Sequence, residues 1–418
     1  MTKEAETMAA ELESPVGTPA PPPASTLPRP WHTILKHAAL PTLTHDEQTR
    51  FNVVAAMNRF LAQQLLPRVE AAAKQSVEPA LEAELGRPPT DRHEYRRALE
   101  RNLTWRIWSR MRRATMEMRQ QAGQLTVLRQ LPGLVNTCRA LNATGDQLHL
   151  DRAFSPPRYL QSLPAHLMPG GYVGERVTDD VAAGASYEIG IYATLGGQSG
   201  PASDRAGRAT VAWLAEHRPG WQPRRILDLG CGMGANTLVL ARAFPEADIV
   251  AIDAGAPMLR YGAARARALG VDNVRFIQGD IEQPPLAAEA PFDLIVSLMV
   301  LHETSRPAVQ RIFAASFQQL APGGLAFHLE QPPYRDKPLL EQCLRDWDGR
   351  YNNEAFWSSL HDTDLVACMR EAGFAAEAVR ETTANAVPVE PPPGQTLQED
   401  YGRGGAWYVV TGEKPLAD

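Results

Sequence analysis

The sequence predicts an α/β fold: a doubly wound, mostly parallel sheet with an antiparallel last strand, preceded by an all-α N-terminal domain. From about residue 203 onward, short apolar strand segments alternate with helical segments, which is the pattern of crossover units in a parallel sheet. The last two strand segments have no helix between them, so we expect antiparallel neighbours. Before residue 142, apolar residues recur at helical spacing instead, for example at Tyr95, Leu99 and Leu103.

Composition excludes several classes of protein. Of 418 residues, 44% are hydrophobic and 22% are charged, so a sizeable core can form. The formal net charge of -6 argues against a protein that coats nucleic acid along its whole surface. No apolar run reaches the roughly 18–20 residues that span a bilayer, and the acidic N-terminus lacks the apolar stretch of a secretory signal. The 4 cysteines lie far apart, without a CxxC motif, so we expect no metal site, no disulfide framework and a cytoplasmic location.

The chain divides into four predicted parts. Residues 1–30 are rich in proline and alanine and nearly free of aromatic residues, which predicts a disordered tail. A helical domain is predicted over 31–141, and a segment without clear periodicity over 142–202 is interpreted as a connector or cap. The catalytic sheet is predicted over 203–418.

The predicted elements follow in order. In the helical domain, Thr44 and Glu47 form a capping-box pattern before a helix that starts at Phe51, and we expect Pro67 to interrupt or kink that helix. Further helices are predicted over about 69–85, 91–122 and 123–141. In the sheet domain, helices are predicted over 203–216, 236–243, 257–269, 307–320 and 363–372. Strands are predicted over 225–229, 249–253, 274–278, 292–298, 325–330, 375–382 and 406–411.

A glycine-rich turn lies between the first of these strands and its helix, in the segment Ile226-Leu-Asp-Leu-Gly-Cys-Gly-Met-Gly-Ala-Asn236. Glycines there let the backbone turn tightly and approach a ligand, and the helix N-terminus presents free N–H groups. The spacing Gly230-x-Gly232-x-x-Ala235 also fits a dinucleotide-binding fingerprint, with Asp253 where a ribose-binding acid belongs. The glycines alone therefore leave a nicotinamide dinucleotide open as the cofactor.

Asp228 separates the two cofactor classes, because nicotinamide fingerprints usually have an apolar residue at its place in the strand. The triplet Asp-x-Gly-x-Gly-x-Gly resembles motif I of the class I S-adenosylmethionine-dependent methyltransferases, which have a Rossmann-like fold. Later segments resemble the following motifs of that family in order: Val250-Ala-Ile-Asp253, Gln278-Gly-Asp280, Phe292-Asp-Leu-Ile-Val-Ser297 and Leu320-Ala-Pro-Gly-Gly-Leu325. The resemblance covers about residues 200–413. It implies S-adenosylmethionine as the cofactor and methyl transfer to a small metabolite or a natural-product-like molecule.

The resemblance also implies which residues hold the cofactor. S-adenosylmethionine carries a sulfonium, an ammonium and a diol, all of which suit carboxylate acceptors. The implied contacts are the methionine moiety for Asp228, Gly230, Gly232 and Gly234, the ribose hydroxyls for Asp253, and adenine for Met258, Asp280 and Ile281. For Asp228 and Asp280, bracing the turn or capping the strand end is the alternative.

Candidate catalytic residues follow from position, because ligands of open α/β sheets bind outside the carboxyl ends of the strands. His302 and Glu303 follow the fourth strand, and Glu330 ends the fifth. Methyl transfer is an in-line displacement that needs a base only if the nucleophile loses a proton. We expect His302 to be that base, with Glu303 or Glu330 orienting it or binding a substrate cation. The alternative is that His302 and Glu303 cap the next helix and contact the cofactor.

Six further residues are predicted to contact the substrate, with ordinary packing as the alternative. Two tyrosines precede the core by a helix, and one histidine shares a strand face with Glu330. The others belong to a segment, 346–357, that mixes aromatic, carboxylate and amide side chains, as a pocket for a polar or cationic molecule would. The six residues are Tyr187, Tyr192, His328, Trp347, Asn352 and Trp357. The proline-rich loop 384–404 is interpreted as either a lid or a solvated loop.

A basic segment leaves a different function open. Residues 91–119 contain nine arginines against four acidic residues, with Trp105 and Trp108 between them. Arginines and aromatic residues together grip phosphates and stack on bases, so one alternative is an RNA or other nucleic-acid methyltransferase. A long Arg/Glu helix is also typical of a solvated or partner-facing surface, and a homo-oligomer through the N-terminal helices is a third interpretation. A cofactor-binding protein with non-methyl chemistry is the remaining alternative.

Overall fold

The computed structural model describes residues 33–195, 199–286, 289–335, 337–385, 387 and 406–416. The predicted tail and most of the predicted loop 384–404 lie outside these residues. The strands are β1 (Leu148–His149), β2 (Arg225–Leu229), β3 (Asp248–Asp253), β4 (Val274–Gln278), β5 (Phe292–Leu298), β6 (Leu320–Glu330), β7 (Val379–Asn385) and β8 (Ala406–Glu413).

These eight strands form one sheet in the order β1-β4-β3-β2-β5-β6-β8-β7. The first five strand pairs in that order are parallel, and β8 is antiparallel to both of its neighbours, β6 and β7. The mostly parallel sheet with a reversed last strand confirms the predicted fold class. The chain leaves β2 toward β3 and β4 but returns on its other side with β5, so the order reverses between β2 and β5. Such a switch point opens a crevice where doubly wound sheets bind ligands.

The helices of the N-terminal half are α1 (His45–Phe60), α2 (Leu66–Ala72), α3 (Glu78–Leu85), α4 (Arg92–Leu99), α5 (Leu103–Asn142), α6 (Arg158–Ser162) and α7 (Ala182–Thr194). Those that follow are α8 (Arg205–His217), α9 (Thr237–Ala243), α10 (Ala256–Ala268), α11 (Arg306–Gln319), α12 (Leu339–Arg345), α13 (Trp347–Tyr351), α14 (Trp357–His361) and α15 (Leu365–Glu371).

Both faces of the sheet are buried, as expected for parallel strands covered by helices. Alternate residues of β2 show this division. Ile226 packs in one apolar cluster with residues of α8, α9 and α10, whereas Leu227 packs in a second cluster with residues of α11 and α15. The carboxyl ends of the strands are thereby held in fixed positions at one edge of the sheet.

One predicted boundary of the N-terminal helices was wrong. The α-helix is interrupted just before Pro67, as predicted, by a π-helical turn, Leu61–Leu65, and the chain stays helical through α2. The changed bonding pattern of a π turn tolerates the missing N–H. The break expected after residue 122 lies instead before α5, where the Asn102 side chain accepts a hydrogen bond from the Trp105 N–H and caps the helix. α5 then continues to Asn142 because Gly123, inside it, packs against α7.

The predicted connector contains a helix, α7, and an edge strand, β1, that the sequence did not reveal. α7 is buried on nearly every side, so its sequence lacks the one-sided apolar stripe that identifies surface helices. Its Gly184 approaches α10 so closely that a Cβ there would lie 2.6 Å from the Cβ of Tyr261. Glu188 on the next turn accepts hydrogen bonds from Tyr261 and Arg265. α7 is therefore part of the core beside the glycine-rich turn that follows β2.

The basic segment also differs from its predicted role. Trp105 and Trp108 are buried in an apolar cluster with Trp347, so their rings do not offer a surface for stacking bases. Arg112 is 2% exposed and forms an ion pair at 3.0 Å with Asp348 of α13. Through these contacts, one face of α5 becomes an internal surface against which the segment 339–363 packs. Among the described residues, no helix is long and apolar enough to cross a membrane.

Candidate active site

A cavity opens at the switch point between the carboxyl ends of β2 and β5. Its wall combines residues predicted for the cofactor with residues predicted for catalysis and substrate. Those predicted residues that line it are Tyr187, Gly230, Gly232, Asp253, Met258, Asp280, Ile281, His302, Glu303 and Trp357. The topology therefore brings most of the predicted site to one place.

The turn after β2 forms one end of this cavity. Gly230, Gly232 and Gly234 have φ angles of 77, 55 and 77 degrees, in the left-handed region that favours glycine. A Cβ on Gly230 would lie 2.3 Å from Cγ2 of Val300, just after β5. The turn and the end of β5 thus approach each other too closely for a side chain at this position.

Asp253 ends β3 beside the same turn. Its Oδ2 accepts a hydrogen bond from the Gly232 N–H and its Oδ1 one from the Gly255 N–H, both at 2.8 Å. These two bonds fix the carboxylate plane, while each oxygen keeps acceptor capacity for a ligand donor. Burial raises the pKa of Asp253 to about 6, although the two hydrogen bonds act to lower it. The group is therefore ionised at neutral pH and suited to accept the hydroxyls of a ribose.

Asp228 and Asp280 occupy different positions. Asp228 is 2% exposed and accepts a hydrogen bond from the Thr237 hydroxyl, so it braces the helix that follows the turn. Burial raises the pKa of Asp228 to about 7. Asp280 lines the cavity, and one of its carboxylate oxygens accepts a hydrogen bond from the Glu282 N–H. The geometry fits the turn-bracing alternative for Asp228 and a ligand contact for Asp280.

His302 and Glu330 form a buried pair across the ends of β5 and β6. Nδ1 of His302 donates to Oε2 of Glu330 at 2.8 Å, and the Leu301 N–H donates to Oε1 of Glu330 at 2.7 Å. Burial lowers the pKa of His302, but the charge and hydrogen bond of Glu330 outweigh it and raise the pKa to about 9. Among the described residues, no side chain or backbone group forms a hydrogen bond with Nε2 of His302, so this nitrogen is available to a ligand.

Glu303 lies beside His302 and is fixed by two donors. The hydroxyl of Tyr172 lies 2.7 Å from its Oε1, and Nε2 of His166 lies 3.1 Å from the same atom. Burial raises the pKa of Glu303, but the hydrogen bond and charge of His166 outweigh this effect and lower it. Glu303 is therefore a carboxylate with a defined orientation in the cavity wall.

His166 is a site residue that sequence reasoning missed. It lines the cavity, and its Nδ1 lies 2.5 Å from Oε1 of Glu354. Its φ of 54 degrees is unusual for a residue with a side chain, and strained backbone often accompanies functional sites. Burial lowers the pKa of His166, but Glu354 and Glu303 raise it to about 10. Glu303 and Glu354 are too distant from it in sequence to form a motif with it, so no sequence pattern identifies His166.

The same three residues, His166, Glu303 and Glu354, are close enough together to hold a metal ion. In the structure, however, each ring nitrogen of His166 faces a different carboxylate. That arrangement is an ion cluster with a cationic centre, and the imidazole occupies the position between the two acids.

Four predicted substrate residues do not reach the cavity wall. Tyr192 packs in the core and contacts Thr33, and His328 is fully buried beside Ser297, 2.7 Å from its hydroxyl. Burial lowers the pKa of His328 to about 3. Trp347 is buried in the contact between α13 and α5. Asn352 lies behind the wall, with its Nδ2 3.2 Å from Nδ1 of His166. For Tyr192, His328 and Trp347, the packing alternative describes the observed surroundings.

Residues 226–324 match a family model described as "Methyltransferase domain". The chain is 38% identical over 101 residues to trans-aconitate 2-methyltransferase of Deinococcus radiodurans, covering 24% of this chain and 35% of that protein. It is 32% identical over 151 residues to an uncharacterized methyltransferase of Synechocystis sp., covering 36% and 66%. A solved structure of an amino pentose methyltransferase from Micromonospora echinaspora is 27% identical, with a TM-score of 0.25 over 29% of this chain and 48% of that one. The chain thus spans only about a third of the first relative.

Proposed function

We propose that this chain, which is a class I S-adenosylmethionine-dependent methyltransferase, transfers a methyl group to an oxygen of a small organic molecule. The observation that carries the proposal is the pair formed by His302 and Glu330, which presents Nε2 to the cavity at the end of β5. S-adenosylmethionine would lie along the glycine-rich turn, with its donor groups facing the carboxylates of Asp253 and Asp280. The acceptor would lie between the sulfonium methyl group and His302.

In this proposal His302 is the general base. Glu330 fixes the imidazole by accepting from Nδ1, so Nε2 is the atom that takes the proton from the attacking hydroxyl. General-base catalysis is most efficient when the pKa of the base lies near the operating pH. The pKa of His302 is raised to about 9, so the free base is abundant only at alkaline pH, and a phenol or enol would lose its proton to it more readily than an aliphatic alcohol. Glu303 and Tyr187 would bind the substrate rather than take part in proton transfer.

The remaining wall of the cavity supports a flat, partly apolar acceptor. Tyr159, Tyr172 and Trp357 line it, and Trp357 lies edge-on to His302 with ring centroids 4.8 Å apart. Aromatic walls with a few fixed polar groups are typical of small-molecule sites. A cofactor-binding role without methyl transfer would not require a fixed imidazole beside the cofactor turn, and the burial of Trp105, Trp108 and Arg112 leaves the nucleic-acid alternative with little support.

The experiment is label transfer. The protein is incubated with methyl-labelled S-adenosylmethionine and fractionated cell extracts, and label in the small-molecule fraction supports the proposal. Label in the nucleic-acid fraction alone would contradict it. His302→Ala should lower turnover while leaving cofactor affinity near wild type, whereas His149→Ala, on the partly exposed edge strand, serves as the matched control.

We propose that the four-part division of the chain describes its domains and that the N-terminal helices also form a contact between copies of the chain. A cytoplasmic location is proposed from the 4 free cysteines, none of which is paired.

A further inference from the structure

We propose that the acceptor substrate carries two hydroxyl groups on neighbouring carbon atoms, one held by His302 Nε2 for methylation and the other by Glu303 Oε2. The inference rests on the proposed function and names the substrate class of that site. It follows from two polar atoms at one end of the cavity that have no hydrogen-bond partner within the described residues.

The first of these atoms is Oε2 of Glu303. The other carboxylate oxygen, Oε1, receives both fixed donors, the Tyr172 hydroxyl and Nε2 of His166. Within the described residues, no donor contacts Oε2, although the side chain is only 12% exposed and lines the cavity. A carboxylate oxygen in such a place is costly unless a donor meets it. The ligand is the group that can supply that donor.

The second atom is Nε2 of His302, which lies 3.8 Å from Oε1 of Glu303. This separation is too long for a hydrogen bond between the two side chains. It is short enough that one ligand can reach both residues. Oε2 belongs to the same carboxylate as Oε1, so two hydroxyls on adjacent carbons can make one hydrogen bond each, the first with Nε2 and the second to Oε2. A single hydroxyl would leave one of the two residues without a partner.

The surrounding charges disfavour a carboxylate as the second substrate group. His166, held between Glu303 and Glu354, offsets only one of their two negative charges. A carboxylate at the same place would face the negative charges of Glu303 and Glu354, and Oε2 of Glu354 is buried without a hydrogen-bond partner among the described residues.

His166 and Tyr172 are then positioning residues for substrate recognition. They hold Oε1 so that Oε2 points to the ligand, and they act through Glu303 without touching the reacting atoms. His166 is itself set by Glu354 and by the hydrogen bond that its backbone oxygen accepts from Gln120 of α5. The helical N-terminal half therefore contributes to substrate choice through a chain of contacts that ends at Glu303.

The test measures binding of simple probes to the full-length protein saturated with S-adenosylhomocysteine. The probes are catechol (1,2-dihydroxybenzene), phenol, resorcinol (the 1,3-isomer), 2-aminophenol and salicylate. Phenol and resorcinol have no second hydroxyl on the adjacent carbon, so each loses a hydrogen bond to a charged group. We therefore expect catechol to bind roughly tenfold or more tightly than either of them. Catechol should also bind more tightly than 2-aminophenol, whose neutral amine donates a weaker hydrogen bond to a carboxylate than a phenol does, and more tightly than salicylate.

Variants separate recognition from folding. Glu303→Ala should reduce catechol affinity to that of phenol, and Glu303→Gln should recover part of the difference. His166→Gln should weaken catechol but not phenol, whereas Glu371→Gln, an exposed substitution on α15, should change neither. Equal affinity for catechol and phenol, including no binding of either, overturns the inference. Tight catechol binding without methyl transfer from S-adenosylmethionine would instead contradict the proposed function.

Discussion

Nδ1 of His302 lies 2.8 Å from Oε2 of Glu330, 28 residues further along the chain. The pair joins the carboxyl ends of two neighbouring strands, β5 and β6, at the switch point of the sheet. Because Glu330 also accepts from the Leu301 N–H, it fixes both the backbone and the ring of the segment that carries His302. A carboxylate in this place controls the tautomer and the basicity of the imidazole.

This pair predicts how the rate depends on pH. With its pKa raised to about 9, His302 is protonated at neutral pH, so the basic form and the rate should increase as pH rises through about 9. Glu330→Gln removes the stabilising charge, so the rise should move to lower pH and the maximal rate should fall. The measurement is kcat against pH between 6 and 10 with saturating cosubstrate. A flat profile in the wild type would remove His302 as the base.

The buried ion pair between Arg112 and Asp348 predicts a large effect on stability. Removal of one partner leaves an uncompensated buried charge, so Arg112→Ala or Asp348→Ala should lower the free energy of unfolding by about 3–5 kcal/mol. The exposed Arg110 on the same helix provides the control, because Arg110→Ala should change it by less than about 0.5 kcal/mol. Denaturant unfolding measures all three. Equal, small effects would contradict the internal role of this face of α5.

Arg112 also shows what the sequence could not reveal. The number of arginines and tryptophans in 91–119 does not show which of them point inward, and the acidic partner of Arg112, Asp348, lies 236 residues away. The same limit applies to His166. By contrast, the mostly parallel sheet and the place of Asp253, His302 and Glu330 followed from local patterns, because parallel strands carry their carboxyl ends to one edge. α7 was missed because burial on all sides removes helical periodicity.

Replacement of Asp228 by a neutral residue should increase the stability of the folded protein by an amount that depends on pH. Burial raises its pKa to about 7 in the folded protein, above the value of about 3.9 in an unfolded chain. The folded state therefore binds the extra proton, and this contribution to stability is lost as pH rises from about 4 through 7. Asp228→Asn keeps an acceptor for Thr237 without the charge. Thermal melts of the cofactor-free protein should show the variant gaining more at pH 8 than at pH 5; a constant difference would contradict the assignment.

The N-terminal helices predict self-association. Leu103, Ile107 and Leu125 of α5 are 55%, 44% and 56% exposed, and Phe60 of α1 is 45% exposed, so these apolar side chains are available for a contact between two copies of the chain. Substitution of the three α5 residues by glutamine should convert a dimer to a monomer in gel filtration with light scattering. A wild-type protein that is monomeric at high concentration would refute the proposal.

Calorimetry of S-adenosylmethionine binding tests most directly whether this cavity is the cofactor site. At pH 8, where Asp253 is ionised because its pKa is about 6, the wild type should bind one molecule per chain. Asp253→Ala should weaken binding by roughly 100-fold or more, because hydrogen bonds to a charged acceptor are lost. The exposed substitution Asp146→Ala should have no effect. Unchanged affinity in Asp253→Ala, or no binding by the wild type, would contradict the assignment of this cavity to S-adenosylmethionine.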